Sequence, residues 1–114
     1  MWIEVTKADD LFAILDIVHD HFFALSPVLA QEGAIRTLEL RGQHGFWRPR
    51  FSQRYEILTI QNVISVEVHD TARVEFYDIN VIEFDGEKIK IRTGITLELS
   101  FEVSDLHLTL ETHW

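Results

Sequence analysis

Histidine and carboxylate side chains that stand close together can bind a metal ion, and the sequence contains one such cluster at His19-Asp20-His21. Two ligands on one helix must be spaced three or four residues apart to reach the same ion. On the helix predicted below, His19 and His21 leave opposite borders of the apolar stripe. We therefore expect no metal and no cofactor here. The remaining histidines are scattered, and we interpret them as solvated: His44, His69, His107 and His113.

Nucleophilic catalysis would need a reactive side chain in a recognisable setting, and the sequence offers none. It contains no cysteine, no Gly-x-Ser-x-Gly segment and no glycine-rich loop that could hold phosphate. The absence of cysteine excludes disulfides and thiolate zinc sites, and it is typical of a reducing compartment. We predict no catalytic residue in this chain.

Arginine and aromatic side chains are concentrated in one segment that could bind a protein or an anion. Residues 36–54 hold half of all the Lys and Arg residues and a single acid, within a chain of net charge −9. Guanidinium groups beside aromatic rings are enriched at recognition surfaces. The sequence predicts such a surface at Trp47, Arg48, Arg50 and Arg54, with ion pairs inside the domain as the alternative. The overall negative charge argues against nucleic acid as the partner.

A single domain over residues 1–114 is predicted from the length and from a hydrophobic content of 46%. Thr6 precedes Asp9 with the spacing of a capping box, and apolar residues then recur with helical periodicity as far as Leu25. This pattern predicts an amphipathic helix. Its buried side would hold Leu11, Ile14, Leu15, Val18, Phe22 and Leu25. A strand is predicted over residues 35–41, at one edge of a sheet.

From Tyr55 onward, apolar and polar residues alternate, which is typical of strands with one buried face. The constant parity predicts one bent strand over residues 55–69, a turn at Asp85-Gly86, and one long strand from Ile89 to Val103 with a bend at Thr93-Gly94. One arrangement keeps all apolar side chains on one face. It opposes Val66 to Phe76, Ile82 to Ile89, and Phe101 to Leu108. The predicted fold is α+β, with one N-terminal amphipathic helix packed on a strongly curved antiparallel meander of four to six strands.

Four polar residues fall on the face that this register assigns to the core: Asn62, Asp78, Asn80 and Thr93. Buried polar atoms must be hydrogen-bonded or hydrated. One interpretation is that the sheet bends here and the four side chains reach solvent. The other is a small polar pocket on the concave face, which could bind a small ligand or serve an enzyme.

Some apolar residues fall instead on the outer face of the sheet, namely Val63, Tyr77, Ile79 and Val81. A single helix covers only one face of a sheet, so something else must shield this patch. We predict self-association through it, as a two-fold homodimer. The alternative is that the segment 26–33 folds back over the same surface.

Three stretches carry a resemblance to known proteins. Val18-His19-Asp20, Leu58-x-Ile60-x-x-Val63 and Val103-Ser104-Asp105-Leu106-His107 resemble small uncharacterised bacterial domains grouped with toxin-immunity proteins. The resemblance implies a non-catalytic acidic protein that binds and blocks a toxin. We therefore expect a binding domain for a protein partner, with a small-ligand domain or an enzyme as the alternative.

The sequence also indicates where the protein resides. Its first residues lack the basic start and long apolar run of a signal peptide. Its longest uncharged runs reach about half of the roughly 20 residues that a membrane helix needs. We expect no membrane partner and a cytoplasmic location.

Overall fold

Two short helices and nine strands make up the described part of the chain, which covers residues 2–42, 54–70 and 72–113 of a computed structural model. The helices are α1 (Leu11–Val18) and α2 (Leu25–Leu29), and a 3-10 turn at Ala8–Asp10 precedes α1. The strands are β1 (Trp2–Val5), β2 (Phe22–Ala24), β3 (Arg36–Leu40), β4 (Tyr55–Ile60), β5 (Val63–Asp70), β6 (Phe76–Phe84), β7 (Lys88–Thr93), β8 (Leu97–Val103) and β9 (Leu108–His113). The fold is α+β, as predicted, but it has more strands than the four to six expected.

The strands form two antiparallel sheets. The first has the order β1-β9-β4-β3, and the second, which is strongly curled, has the order β2-β6-β7-β8-β5. Buried apolar side chains from both sheets and both helices join in one core cluster. β3 lies at the edge of the first sheet, next to β4, which confirms the edge strand predicted at residues 35–41.

Helix α1 ends at Val18 rather than at Leu25. The backbone of Asp20 is left-handed, with a φ of 65°, and its N–H donates to the carbonyl of Ile79 in β6. The following residues are rich in phenylalanine, which favours strands, and they form β2 beside β6. Tertiary pairing therefore interrupts a pattern that looks helical in the sequence. The buried residues of α1 are among those predicted: Leu11, Ile14 and Val18.

Residues 55–70 form two strands in two different sheets instead of one bent strand. The break falls at Asn62, whose φ of 60° lies in the left-handed region. Such a residue redirects the chain without leaving a mark on the alternation of apolar residues. As a result, β5 pairs with β8, and Val66 faces Phe101 rather than Phe76 as predicted.

The hairpin between β6 and β7 differs from the predicted one by its register. Ile82 faces Ile91 rather than Ile89. The turn lies one residue later than predicted, because Asp85 still pairs across the hairpin and Gly86, with a φ of 102°, begins the turn. The shift preserves which face each side chain occupies, so the alternation alone could not detect it.

Residues 88–103 form a hairpin of β7 and β8 rather than one long strand. The turn is held by the N–H of Gly94, which donates to the carboxylate of Asp78 at 3.1 Å. Beyond β8 the chain crosses to the first sheet, where β9 lies between β1 and β4. The predicted pairing of Phe101 with Leu108 is therefore wrong, because the two residues belong to different sheets.

The four residues predicted to form an outer, self-associating patch lie mostly inside the molecule. Val63, Tyr77 and Ile79 are buried, and Val81 is half-buried. A bulge between Ile79 and Val81 reverses the alternation within β6, so Tyr77 and Ile79 before it face the same core as Ile82 after it. The expected placement of this patch on the surface is wrong.

The buried ring of Tyr77 carries its hydroxyl to the end of β5. The hydroxyl donates to a carboxylate oxygen of Asp70 at 2.5 Å and accepts the N–H of Val74 at 3.1 Å. Hydrogen bonds from Tyr77 and from the N–H of Arg73 hold the pKa of Asp70 below its usual value. Burial, together with the bond to Asp70, raises the pKa of Tyr77. These contacts fasten the connection between β5 and β6.

We expect Tyr77→Phe to lower the free energy of unfolding at neutral pH, because Asp70 loses a donor and Val74 loses an acceptor. The folded pKa of Asp70 is below the unfolded value of about 4. Its contribution is therefore present above the unfolded pKa and is lost as the pH falls through the folded pKa. The difference in stability between wild type and Tyr77→Phe should shrink in acid.

Urea unfolding measured from neutral pH down into the acid range tests this expectation. Tyr55→Phe, which removes a hydroxyl from a half-buried ring elsewhere in the molecule, serves as the control and should show no such trend. A difference for Tyr77→Phe that stays constant across the pH range would contradict the assignment.

Candidate functional site

A cleft of about 440 Å³ opens between α2, β2 and β3, where the two sheets meet. We call it the junction cleft. Its volume falls within the range of small-molecule and anchor-residue pockets. The apolar lining residues are Phe22, Phe23, Ala24, Pro27, Val28 and Phe76. The remaining lining residues are polar or charged, apart from one glycine: Gln31, Thr37, Glu39, Arg41, Gly42 and Arg54.

The cleft exists because β2 and β3 pair at one position and then separate. The N–H of Phe22 donates to the carbonyl of Arg41 at 2.7 Å, and the N–H of Arg41 donates to the carbonyl of Phe22 at 2.9 Å. β2 ends two residues later, at Ala24, and the next residue begins α2. β2 therefore cannot continue along β3, and the gap between the two strands becomes the cleft.

On the other side of the cleft, the side chain of Gln31 covers the edge of β3. Its Oε1 accepts the N–H of Thr37 at 2.7 Å, and its Nε2 donates to the carbonyl of Thr37 at 2.8 Å. The same Nε2 is 3.1 Å from the carbonyl of Pro27 in α2. One carboxamide thus supplies the acceptor and the donor that a neighbouring strand would have offered.

Between these two paired positions, the backbone of Glu39 faces the cleft. Residues of an antiparallel edge strand bond alternately towards the neighbouring strand and away from it. Thr37 and Arg41 direct their backbone groups away from β4, so Glu39, which lies midway between them, does the same. On that side, no hydrogen bond joins its N–H or C=O to another residue of the described ranges. Ala24, two residues beyond Phe22, is the equivalent position on β2.

A buried carboxylate lies beside the cleft. The side chain of Glu56 is on the same face of β4 as Leu58, and the residue is only 1% exposed. Its Oε2 is 3.2 Å from Nε2 of His21, and its Oε1 accepts a hydrogen bond from Nε of Arg54 at 3.0 Å. Glu56 was not among the residues predicted from the sequence. It is separated by two positions from Leu58, however, and this spacing indicates that both side chains lie on the core face of the strand.

Replacing Glu56 with Gln should destabilise the fold, because two cationic or polar partners lose a buried ionic acceptor. We expect a loss of roughly 1–3 kcal/mol in the free energy of unfolding. Glu39→Gln is the matched control, since Glu39 pairs with Arg41 at 2.6 Å but its side chain is 54% exposed. That change should cost less than about 0.5 kcal/mol. Equal effects of the two substitutions in urea unfolding would contradict a structural role for Glu56.

The structure describes one of the four residues of the predicted recognition surface. Trp47, Arg48 and Arg50 lie outside the described residues. Arg54 lines the junction cleft and pairs with Glu56. The intramolecular ion pair that the sequence left as an alternative is therefore present at Arg54, and the residue still borders the cleft.

Of the four polar residues expected to share one patch, Asp78 and Thr93 meet at the turn between β7 and β8, and the other two lie elsewhere. Asp78 accepts the N–H of Gly94, and Thr93 bonds within the same turn. Asn80 lies 3.2 Å from His19, at the end of α1. Asn62 donates to the carbonyl of Asp105, on the far side of the curled sheet. Each side chain bonds locally, so the geometry favours solvated bends over one polar pocket.

The histidines also bond separately. His19 contacts Asp20 and Asn80, whereas His21 contacts Glu56. Both residues lie beyond the end of α1, so the helical geometry assumed for them does not apply. Across the described ranges, no group of three or more histidine or acidic side chains is arranged to hold a metal ion.

Comparisons with protein-family models, with curated proteins and with solved structures found no match for this chain. Among the described residues, no helix has the length and apolar character needed to cross a bilayer. The geometry of the junction cleft is therefore the main guide to function.

Proposed function

We propose that the chain is a non-catalytic binding domain that recognises a partner protein at the junction cleft. The observation that carries this proposal is Phe76, an aromatic residue at the wall of the cleft that remains 64% exposed. An apolar centre with arginine at its rim is the usual composition of an interface hot spot. Arg41 and Arg54 supply that rim, and each is already paired with a carboxylate.

The charge of the chain supports a basic partner. A net charge of −9 attracts a cationic surface over a long range and repels other acidic proteins. Together with the resemblance to toxin-immunity proteins, this charge favours an immunity-like role, in which binding would block the partner. We infer a bacterial cytoplasmic location on the same grounds, since the chain has no cysteine.

Small-ligand binding is the second candidate function. The observation that favours it is the volume of the cleft, about 440 Å³, which would hold a compact organic molecule. The two functions differ in whether exposed side chains around the cleft contribute to binding. A small ligand would be enclosed by the interior part of the lining, whereas a partner protein would also use the exposed ring of Phe76 at its wall.

Phe76→Ser should weaken partner binding by roughly tenfold or more, because an aromatic anchor is removed from the centre of the contact. Phe12→Ser is the matched control. Phe12 is 80% exposed on α1, away from the junction cleft, and the chemical change is the same. Neither substitution should alter the melting temperature much, because both rings are exposed.

The experiment captures proteins from a bacterial lysate on tagged wild type, Phe76→Ser and Phe12→Ser, identifies them, and measures dissociation constants with the purified partner. The proposal requires loss of affinity in Phe76→Ser alone. A partner that binds both variants as tightly as wild type would overturn the proposed site. Capture of the chain itself, lost in Phe76→Ser, would make a second copy the partner.

A further inference from the structure

We propose that the group recognised inside the junction cleft is a primary carboxamide, carried by an asparagine or glutamine side chain of the partner protein, and that it pairs with the backbone of Glu39. This inference rests on the proposed function, because it names the chemistry of the residue that enters the cleft. The hydrogen-bonding pattern along the edge of β3 supports it.

The edge formed by β3 and the following Arg41 offers three equivalent backbone positions, and two of them are already filled. At Arg41 the N–H and C=O bond to the backbone of Phe22. At Thr37 they bond to the side-chain carboxamide of Gln31. Alternate residues of a strand are separated by about 6.8 Å, so the central position at Glu39 has room for one more group of that size.

The chemistry required at Glu39 is specific. A ligand must accept one hydrogen bond from the N–H and donate one to the C=O from the same side. A primary carboxamide does both, as the contact of Gln31 with Thr37 demonstrates within this molecule. A carboxylate has no donor for the C=O, and an ammonium group has no acceptor for the N–H.

The surroundings of this position favour a neutral group. The nearby charged side chains are already engaged, with Glu39 bound to Arg41 and Arg54 bound to Glu56. Ala24, across the gap, directs its backbone N–H towards the same space, and this donor can bond to the second lone pair of a carboxamide oxygen. Apolar side chains line the remainder of the cleft and would contact the methylene groups that carry the carboxamide.

Benzamide is a simple probe of this site, and N,N-dimethylbenzamide is its matched control, because the control keeps the ring and the carbonyl but has no N–H. Titration of ¹⁵N-labelled protein with benzamide should shift the amide signals of Glu39 and Ala24. Binding of the dimethyl analogue should be weaker by about fivefold or more, since one hydrogen bond is lost. Equal binding of the two compounds, or no shift at Glu39, would overturn the inference.

A pair of variants tests the role of the backbone. Glu39→Pro removes the N–H that faces the cleft, and proline is tolerated where an edge strand directs this group away from the ladder. Glu39→Ala removes the same side chain but keeps the N–H. We expect Glu39→Pro to lose benzamide binding and Glu39→Ala to retain it. Equal retention by both would contradict backbone recognition, and the two compounds on wild type give a result even if Glu39→Pro does not fold.

The two proposals can fail separately. In a captured partner, changing the inserted glutamine to glutamate, or asparagine to aspartate, should reduce affinity about fivefold or more. If capture depends on Phe76 but no such change in the partner matters, the carboxamide inference is wrong and the proposed function stands. If benzamide binds at Glu39 but no protein depends on Phe76, the partner side chain is excluded and the source is a free small carboxamide.

Discussion

The architecture around the junction cleft depends on the isolated backbone pair between Phe22 and Arg41. It joins the edge of the curled sheet to the edge of the first sheet, and its two hydrogen bonds of 2.7 and 2.9 Å are well formed. If the pairing extended further, the two edges would merge and the cleft would close. If it were absent, the two edge strands would not be held together at this point. The length of the pairing therefore sets both the position and the size of the junction cleft.

Helix α2 keeps the two strands apart beyond this pair. The helix begins immediately after β2, and its first turn is fixed by Glu75, whose carboxylate accepts the hydroxyl and the N–H of Ser26 at 2.5 and 2.7 Å. These hydrogen bonds lower the pKa of Glu75. An acidic residue from a distant part of the chain, just before β6, thus caps a helix that has no side-chain cap of its own. Gln31, just beyond α2, then fastens the helix to the edge of β3.

The sequence predicted the elements better than their connections. Helical periodicity located α1 and its buried side, and β-forming residues bounded by a turn located β3. The predicted register of the meander was wrong because the alternation of apolar residues does not reveal a left-handed residue such as Asn62, or the bulge between Ile79 and Val81. Each of these features moves a strand or reverses a face while the apolar pattern continues undisturbed.

The candidate site was predicted only at one residue, Arg54. Its other components come from parts of the chain that are distant in sequence and are brought together by the crossing of the two sheets. The open position at Glu39 is a property of the backbone, so no side-chain pattern could reveal it. The position of Glu56 could have been predicted, because a residue two positions from Leu58 in a strand lies on the same, buried face of β4.

Native-state amide hydrogen exchange tests most directly whether the pairing between β2 and β3 ends after one position and leaves the backbone of Glu39 open. We expect slow exchange at Phe22, Thr37 and Arg41, whose N–H groups are bonded, and exchange at least about tenfold faster at Glu39. Protection of the Glu39 amide equal to that of Thr37 and Arg41 would show that the position is already filled, and it would contradict an open edge at Glu39.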